Sequence, residues 1–199
     1  MLRQPTGEAG AGSDNRAVDH RQSIGNRRRA HEELMADNFG WGVERPFLVS
    51  VGEIVIRWGY IDTLLAQTCG VLFEQFGGHS SEKRPPRALG RRLAYIGKCF
   101  RNNPTLLPLA ALAENIATAA RQIAKHRDFL VHGCLTEYIA AVPSFQFTKL
   151  DGREDNTGYE QTSTKLTERE LIEISEAAFA VLLQLSELGT ELRKLAVTP

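Results

Sequence analysis

Arg127, Asp128 and His132 lie in one short stretch, RDFLVHG, and their side chains suit acid–base chemistry on a phosphate. On a helix, Asp128 and His132 are four residues apart, so they lie on one face in adjacent turns. Asp128 can then accept a hydrogen bond from one ring nitrogen of His132, which fixes the tautomer and leaves the other nitrogen free. Arg127 is always charged, and its guanidinium can hold two phosphate oxygens.

These groups are the parts that a metal-independent ribonuclease requires. The histidine can remove or donate a proton, and the arginine can stabilise charge on the phosphorane. The attacking group would be the 2′-hydroxyl of the RNA, so no metal and no cofactor is required, and the products would be a 2′,3′-cyclic phosphate and a 5′-hydroxyl. Because one histidine supplies only one proton-transfer group, a two-fold homodimer is expected to bring a second copy of the motif to the site.

The helix that positions these side chains is predicted over Pro104 to Gly133. Its apolar residues step by three and four, which is the spacing of a core-facing seam: Leu109, Ala113, Ile116, Ala120, Ile123 and Leu130. Arg127 occupies a position on this seam, where a guanidinium is costly unless it is paired or lines a cleft. His132 falls in the last turn, and Gly133 is a plausible helix-ending residue.

Structural interpretations of the same residues stay open at this stage. Arg121 and His126 have the same spacing as Arg127 and His132, so the spacing alone arises readily by chance. Cations in the last turns of a helix also stabilise its C-terminus through the helix dipole. Asp62, on the first helix, could pair with Arg127 inside a purely structural helical bundle.

Basic residues are concentrated in the middle of the chain. From Lys83 to His132 there are ten Lys or Arg against two acids, whereas from Asp151 onward there are five against ten. This asymmetry favours an anionic partner for the middle, although the two segments could instead neutralise each other. The predicted RNA-binding residues are Arg84, Arg87, Arg91, Lys98 and Lys125. Arg84, Arg87, Arg91 and Lys98 fall on one side of the second helix, and the alternative is that this side is simply a solvated surface.

Three further helices are predicted from apolar seams of the same period. The first begins near Pro46, the second covers about Pro86 to Arg101, and the last follows a capping box at Thr167–Glu170. Period-two alternation around Phe145 and Phe147 predicts a hairpin between the third and fourth helices, to which QTSTKL could add a short third strand. The predicted fold class is therefore all-α, an antiparallel four-helix bundle with a small β-hairpin insertion at about 134–166. Residues 1–45 are predicted to form a disordered or loosely held arm, and residues 46–199 the helical domain.

Composition predicts a cytoplasmic protein. The three cysteines are far apart and lack metal-ligand or redox spacing, which is typical of a reduced compartment. No stretch is long and apolar enough to span a membrane, and the N-terminus lacks the apolar core of a signal peptide. We expect no membrane partner and no bound metal.

The motif resembles the signature of the HEPN family of small all-α domains. That signature is an arginine, a polar residue and a histidine four to six residues after the arginine, which Arg127, Asp128 and His132–Gly133 match. The resemblance covers roughly residues 46 to 195 and includes the Trp58–Asp62 stretch and the final amphipathic helix. The β-insertion and the N-terminal arm are departures from a minimal HEPN bundle.

The resemblance implies a function as well as a fold. Many HEPN domains are endoribonucleases of toxin–antitoxin, CRISPR-associated or phage-defence systems, and they dimerise with their motifs facing each other across a cleft. By this resemblance Arg127, Asp128 and His132 are the catalytic residues, and a cognate antitoxin or regulatory protein is a possible partner. Some members are non-catalytic and bind RNA or proteins, so an RNA- or protein-binding dimerisation module is the alternative function.

Overall fold

The computed structural model describes residues 45–139, 141–152 and 158–197. Almost all of the N-terminal arm predicted at 1–45 lies outside these residues. The elements of the described chain are four helices and three strands, together with two short 3-10 turns. They are α1 (Arg45–Gln75), α2 (Leu89–Asn102), α3 (Ala110–His132), β1 (Cys134–Ile139), β2 (Ser144–Gly152), β3 (Tyr159–Thr167) and α4 (Glu168–Val197).

α1 is the central helix of the main core and packs against each of the other three helices. Its seam residues Ile61, Leu65 and Leu72 are fully buried, because neighbouring helices cover this side of α1. α3 meets the core with small side chains such as Ala117 and Ala120, which let the helix backbones approach closely. None of the helices in the described part of the chain is long and apolar enough to cross a membrane.

The predicted fold class, an all-α bundle with a small hairpin insertion, is wrong. The segment between α3 and α4 forms a three-stranded antiparallel sheet in the order β1-β2-β3, with Leu135 opposite Phe147 and Phe147 opposite Thr164. β2 and β3 are each nine residues long, so the sheet is a structural layer of the protein and not a short hairpin between two helices. The protein therefore combines helices with a sheet.

The sheet has a hydrophobic core of its own. The ring of Phe47, near the start of α1, stacks on Phe145 of β2 at a centroid distance of 3.7 Å and lies 6.2 Å from Phe147. Leu171 and Ile174 from the start of α4 complete this second cluster. Because three elements bury their apolar side chains together, the sheet is fixed to the beginnings of α1 and α4.

The helices are also not arranged as an antiparallel bundle. Arg57 of α1 contacts Ser175 of α4, and further along both helices Thr68 and Gly189 line one cavity, so α1 and α4 run in the same direction. α4 runs antiparallel to α3 and parallel to α1, because the end of α3 and the starts of α1 and α4 meet in the second cluster, where Phe129 and Leu130 pack near Phe47 and Leu171.

Local sequence signals at the helix ends are confirmed in part. The capping box is present, since Thr167 N donates to Glu170 Oε2 at 2.7 Å and Glu170 N donates to Thr167 Oγ1 at 3.2 Å. The predicted third helix is instead split into a 3-10 turn, Pro104–Leu109, and α3 proper. Pro108 has no amide hydrogen to donate to a preceding carbonyl, which explains why the α-helix begins only after it.

Candidate active site

The last turns of α3 face an open cavity of about 610 Å³, here called the reactive cleft. Arg127 and Asp128 line it together with Trp58, Gly59 and Asp62 of α1 and Leu89 of α2. Lys125 also lines it, which places one predicted RNA-binding residue at the predicted catalytic motif. The three helices therefore place an arginine, a lysine and two carboxylates around one solvent-filled space.

Arg127 and His132 are in direct contact at the end of α3. Arg127 Nη1 lies 3.2 Å from His132 Nε2. Because a guanidinium can only donate, Nε2 must accept, so the imidazole in this arrangement is neutral and carries its proton on Nδ1. The His132 side chain is 58% exposed and accessible to a large substrate.

The predicted hydrogen bond between Asp128 and His132 is absent. Asp128 Oδ1 is 3.9 Å from His132 Nε2, which is beyond hydrogen-bonding distance. The nearer neighbour of that nitrogen is Arg127, so this detail of the sequence prediction is wrong. The orientation of the imidazole therefore depends on a cation and not on the carboxylate.

Asp128 is held instead by Lys149 of β2, a residue that sequence reasoning missed. Lys149 Nζ contacts Asp128 Oδ2 and lies 3.1 Å from Asp151 Oδ1, and it sits 4.9 Å from the ring centroid of Phe129. The hydrogen bond to Asp128 is the main cause that raises the pKa of Lys149. A hydrogen bond from Thr162, followed by one from Lys149, lowers the pKa of Asp151.

A signal for Lys149 was present in the sequence. Residues of one strand alternate between faces, so Phe145, Phe147 and Lys149 share the face of β2 that turns toward the helices. A lysine on the same face as two buried aromatic residues predicts an acidic partner on the neighbouring helix, because an unpaired charge there would be costly. Which helix residue it meets depends on how the sheet packs, and no local pattern encodes that.

Arg127 has no carboxylate within 4.0 Å among the described residues, and its Nε is buried without a hydrogen-bond partner. Asp62, the acid considered as its structural partner, is bound by Arg92 of α2, with Nη1 2.6 Å from Oδ1. The structural interpretation of Arg127, in which it is paired with Asp62, is therefore wrong. An arginine that lacks an acid and lines an open cavity is suited to bind an external anion.

Gly133 follows the motif for a steric reason. It ends α3 with an extended backbone, at φ −86° and ψ 158°. A Cβ at this position would lie 2.5 Å from the carbonyl oxygen of Phe129 and 3.4 Å from that of Thr148. The carbonyl oxygen of Phe129 in the last turn of α3, and not a left-handed conformation, thus excludes a side chain here.

The second Arg–His pair of the same spacing is not assembled. Arg121 is exposed, and no hydrogen bond joins it to His126. His126 is half-buried and lines a different cavity together with Glu170 of α4, and burial lowers its pKa. Sequence spacing alone therefore does not define the site, whereas the position of Arg127 on the core seam does distinguish it.

The remaining predicted RNA-binding residues do not form one stripe. Arg84, Arg87 and Arg91 line a second cavity of about 600 Å³, which we call the basic pocket. Lys98, which the sequence placed with them, is exposed on α2 and does not line this pocket. The structure thus brings together three of the four.

Within the described ranges, no three His, Cys, Asp or Glu side chains form a group that could hold a metal ion. Comparisons with protein-family models, with curated proteins and with solved structures found no match to this chain. The function proposed below is therefore argued from the motif and the geometry of the cleft.

Proposed function

We propose that this protein is a metal-independent endoribonuclease that cuts RNA at the reactive cleft. The observation that carries the proposal is the contact between Arg127 Nη1 and His132 Nε2, at 3.2 Å. Arg127 lines the reactive cleft and has no acidic partner among the described residues, whereas His132 lies beside Arg127 and is not one of the lining residues. This contact places an anion-binding group and a proton-transfer group within reach of one phosphate. The likeness of the motif to the HEPN signature supports the proposal, whereas the fold supplies no support.

The reaction requires the Arg127–His132 contact to open. A phosphodiester entering the cleft offers Arg127 two oxygens, which hold a guanidinium better than one imidazole nitrogen does. Nε2 of His132 is then free to take the proton of the 2′-hydroxyl, whose oxygen attacks the adjacent phosphorus. The bond from phosphorus to the 5′-oxygen breaks, leaving a 2′,3′-cyclic phosphate. A protonated group must give the departing 5′-oxygen its proton.

We propose that the second proton-transfer group is His132 of a second copy of this chain. Ile56 and Tyr60 of α1 are 62% and 63% exposed, and Phe179 and Leu183 of α4 are 50% and 57% exposed. Arg57 lies 5.4 Å from the ring centroid of Phe179, so these faces of α1 and α4 adjoin. Together the four side chains form an apolar patch.

The patch lies beside the reactive cleft on α1, because Gly59 lines the cleft and is three residues after Ile56, a spacing that makes them neighbours on the helix surface. A two-fold pairing over the patch would therefore bring two clefts close to each other. A second copy of this chain would cover the apolar patch and would also supply the second proton-transfer group. A phage-defence or toxin–antitoxin role, with a cognate antitoxin or regulatory protein, is the setting in which we propose that such a nuclease acts.

The identity of the RNA ends tests the proposed reaction. Purified protein incubated with single-stranded RNA and EDTA should release fragments with 2′,3′-cyclic phosphate and 5′-hydroxyl ends, detected by mass spectrometry. A DNA of the same sequence should remain intact, because it has no 2′-hydroxyl. Fragments with 3′-hydroxyl and 5′-phosphate ends would show that water or a metal-bound hydroxide was the nucleophile, and the proposal would then be wrong.

The dimer is tested by light scattering across a concentration series. The parent protein should be a dimer at micromolar concentration, and Ile56→Glu should shift it to monomer and lower cleavage together. Leu150→Glu is the matched control, since Leu150 is 68% exposed on β2, away from the patch, and should leave the dimer intact. A parent protein that stays monomeric at every concentration contradicts the composite site.

One observation favours the alternative, a non-catalytic RNA- or protein-binding module. In this arrangement Nε2 of His132 is occupied by Arg127, and Asp128 is occupied by Lys149. A site in which both contacts persisted when RNA was bound would hold a phosphate without transferring a proton. RNA binding without release of cyclic-phosphate ends would identify this alternative.

A further inference from the structure

The basic pocket lies where the connection between α1 and α2 meets the first turn of α2. Lys83, Arg84, Arg87 and Arg91 line it, and the one acid among the lining residues is Glu82. Glu82 is engaged by Arg91, with Nη2 3.2 Å from Oε2. Lys83, Arg84 and Arg87 have no carboxylate within 4.0 Å among the described residues. Three of the four cations that line the pocket therefore have no acidic partner among the described residues.

The excess of positive charge around the pocket favours binding of an anion. Side chains of like charge around one cavity repel one another, and the first turn of α2 carries no acidic residue to offset them. An anion that enters the pocket removes this repulsion and gains several charge-assisted hydrogen bonds. Phosphate is the anion whose oxygens best match several guanidinium groups at once.

The wall of the pocket is fixed before a ligand arrives. Pro85 and Pro86 line it, and their rings lock the backbone φ angles of the segment that carries Arg84 and Arg87. Pro86 is buried, and its carbonyl oxygen accepts a hydrogen bond from Arg92 Nε at 3.3 Å. A binding wall that is already ordered loses little conformational entropy when it binds.

The basic pocket adjoins the reactive cleft. Ala88 lines the pocket, and Leu89, the next residue, lines the cleft. Arg92 lies between the two, because it binds Pro86 on the pocket side and Asp62 on the cleft side. A strand that occupies one cavity therefore passes close to the other.

We propose that the basic pocket binds a backbone phosphate of the same RNA strand that is cut in the reactive cleft, on one side of the scissile bond. This inference rests on the proposed function and adds a positioning site to it. The pocket acts on affinity and on the register of the strand, and it takes no part in proton transfer. Lys83 joins this site, and Lys98 does not belong to it.

The test measures binding in a His132→Ala background, so that RNA stays intact. Replacing both Arg84 and Arg87 by Gln should weaken binding of single-stranded RNA about tenfold or more at about 0.1 M salt, because the bound phosphate loses two charged partners. The slope of log K against log salt should fall in magnitude by about 0.7, since the pocket holds one phosphate and each phosphate contact of a single strand contributes about 0.7. Arg121→Gln with Lys165→Gln removes the same charge from exposed positions of α3 and β3 and should leave the slope unchanged.

The cleavage readout separates positioning from chemistry. With His132 intact, Arg84→Gln with Arg87→Gln should raise the RNA concentration that gives half-maximal single-turnover cleavage and leave the maximal rate within about twofold. If the parent cuts no RNA, but its salt slope exceeds that of the pocket variant as expected, the proposed nuclease function is wrong and the pocket is still an RNA-binding site. If the parent cuts RNA and the pocket variant matches the Arg121 and Lys165 control in affinity and slope, the pocket proposal is overturned.

A competition experiment with pyrophosphate tests whether the ligand of the basic pocket is a phosphate of RNA or a free phosphorylated molecule. Inorganic pyrophosphate should compete with RNA for the parent protein and compete less well when Arg84 and Arg87 are Gln. Pyrophosphate that binds in the pocket without displacing RNA would assign the pocket to a small phosphorylated ligand, and the strand proposal would be wrong.

Discussion

His132→Ala is expected to reduce RNA cleavage by about 10²–10⁴-fold, the usual contribution of one positioned proton-transfer group. In the proposed dimer the substitution removes both such groups, so the loss should lie at the upper end of that range. The free energy of unfolding should change by no more than about 0.5 kcal/mol, because the side chain is 58% exposed and, among the described residues, its polar neighbours are Arg127 and Asp128. Initial cleavage rates and thermal melts of the purified variant measure both effects.

His126→Ala is the matched control for this loss. His126 lies on the same helix, but it lines the cavity shared with Glu170, and among the described residues it makes no hydrogen bond to Arg127. Its removal should keep most of the activity. Cleavage by the His132 variant at the parental rate would point to a contaminating nuclease or to a site elsewhere, and our proposal would not survive that result.

Arg127→Ala is expected to lower cleavage by about 10²–10³-fold, the usual effect of removing one group that stabilises transition-state charge. Its effect on stability should be small or favourable. No acidic side chain among the described residues lies within 4.0 Å of Arg127, so none is stranded, and a buried Nε without a partner is removed. Arg127→Lys should restore only part of the activity, because lysine keeps the charge but lacks the planar fork.

Arg92→Ala is the contrasting variant. Its side chain is 12% exposed and binds Asp62 at 2.6 Å, so removal leaves a half-exposed carboxylate without its partner. We expect a loss of about 1–3 kcal/mol in the free energy of unfolding. Chemical denaturation of both variants measures the difference. A larger loss of stability for Arg127→Ala than for Arg92→Ala would mean that Arg127 is a structural residue.

Helix boundaries and caps were largely predictable because they depend on local chemistry. The seam of α3 and the capping box at Thr167–Glu170 each follow from residues within one or two turns. The extent of the sheet was not predictable in the same way. A pair of aromatic residues at period two is compatible with a hairpin or a larger sheet, and the packing of Phe145 and Phe147 on Phe47, about a hundred residues earlier in the sequence, decides between them.

The sequence by itself determined that Arg127 would sit on the inward side of a helix with His132 at its end. That follows from helical periodicity, which is a property of neighbouring residues. Only the tertiary structure decided which groups Arg127, Asp128 and Asp62 meet. Lys149 of β2 contacts Asp128 of α3, and Arg92 of α2 binds Asp62 of α1. Such pairings depend on how elements far apart in the chain pack against one another, and no local pattern of residues encodes that packing.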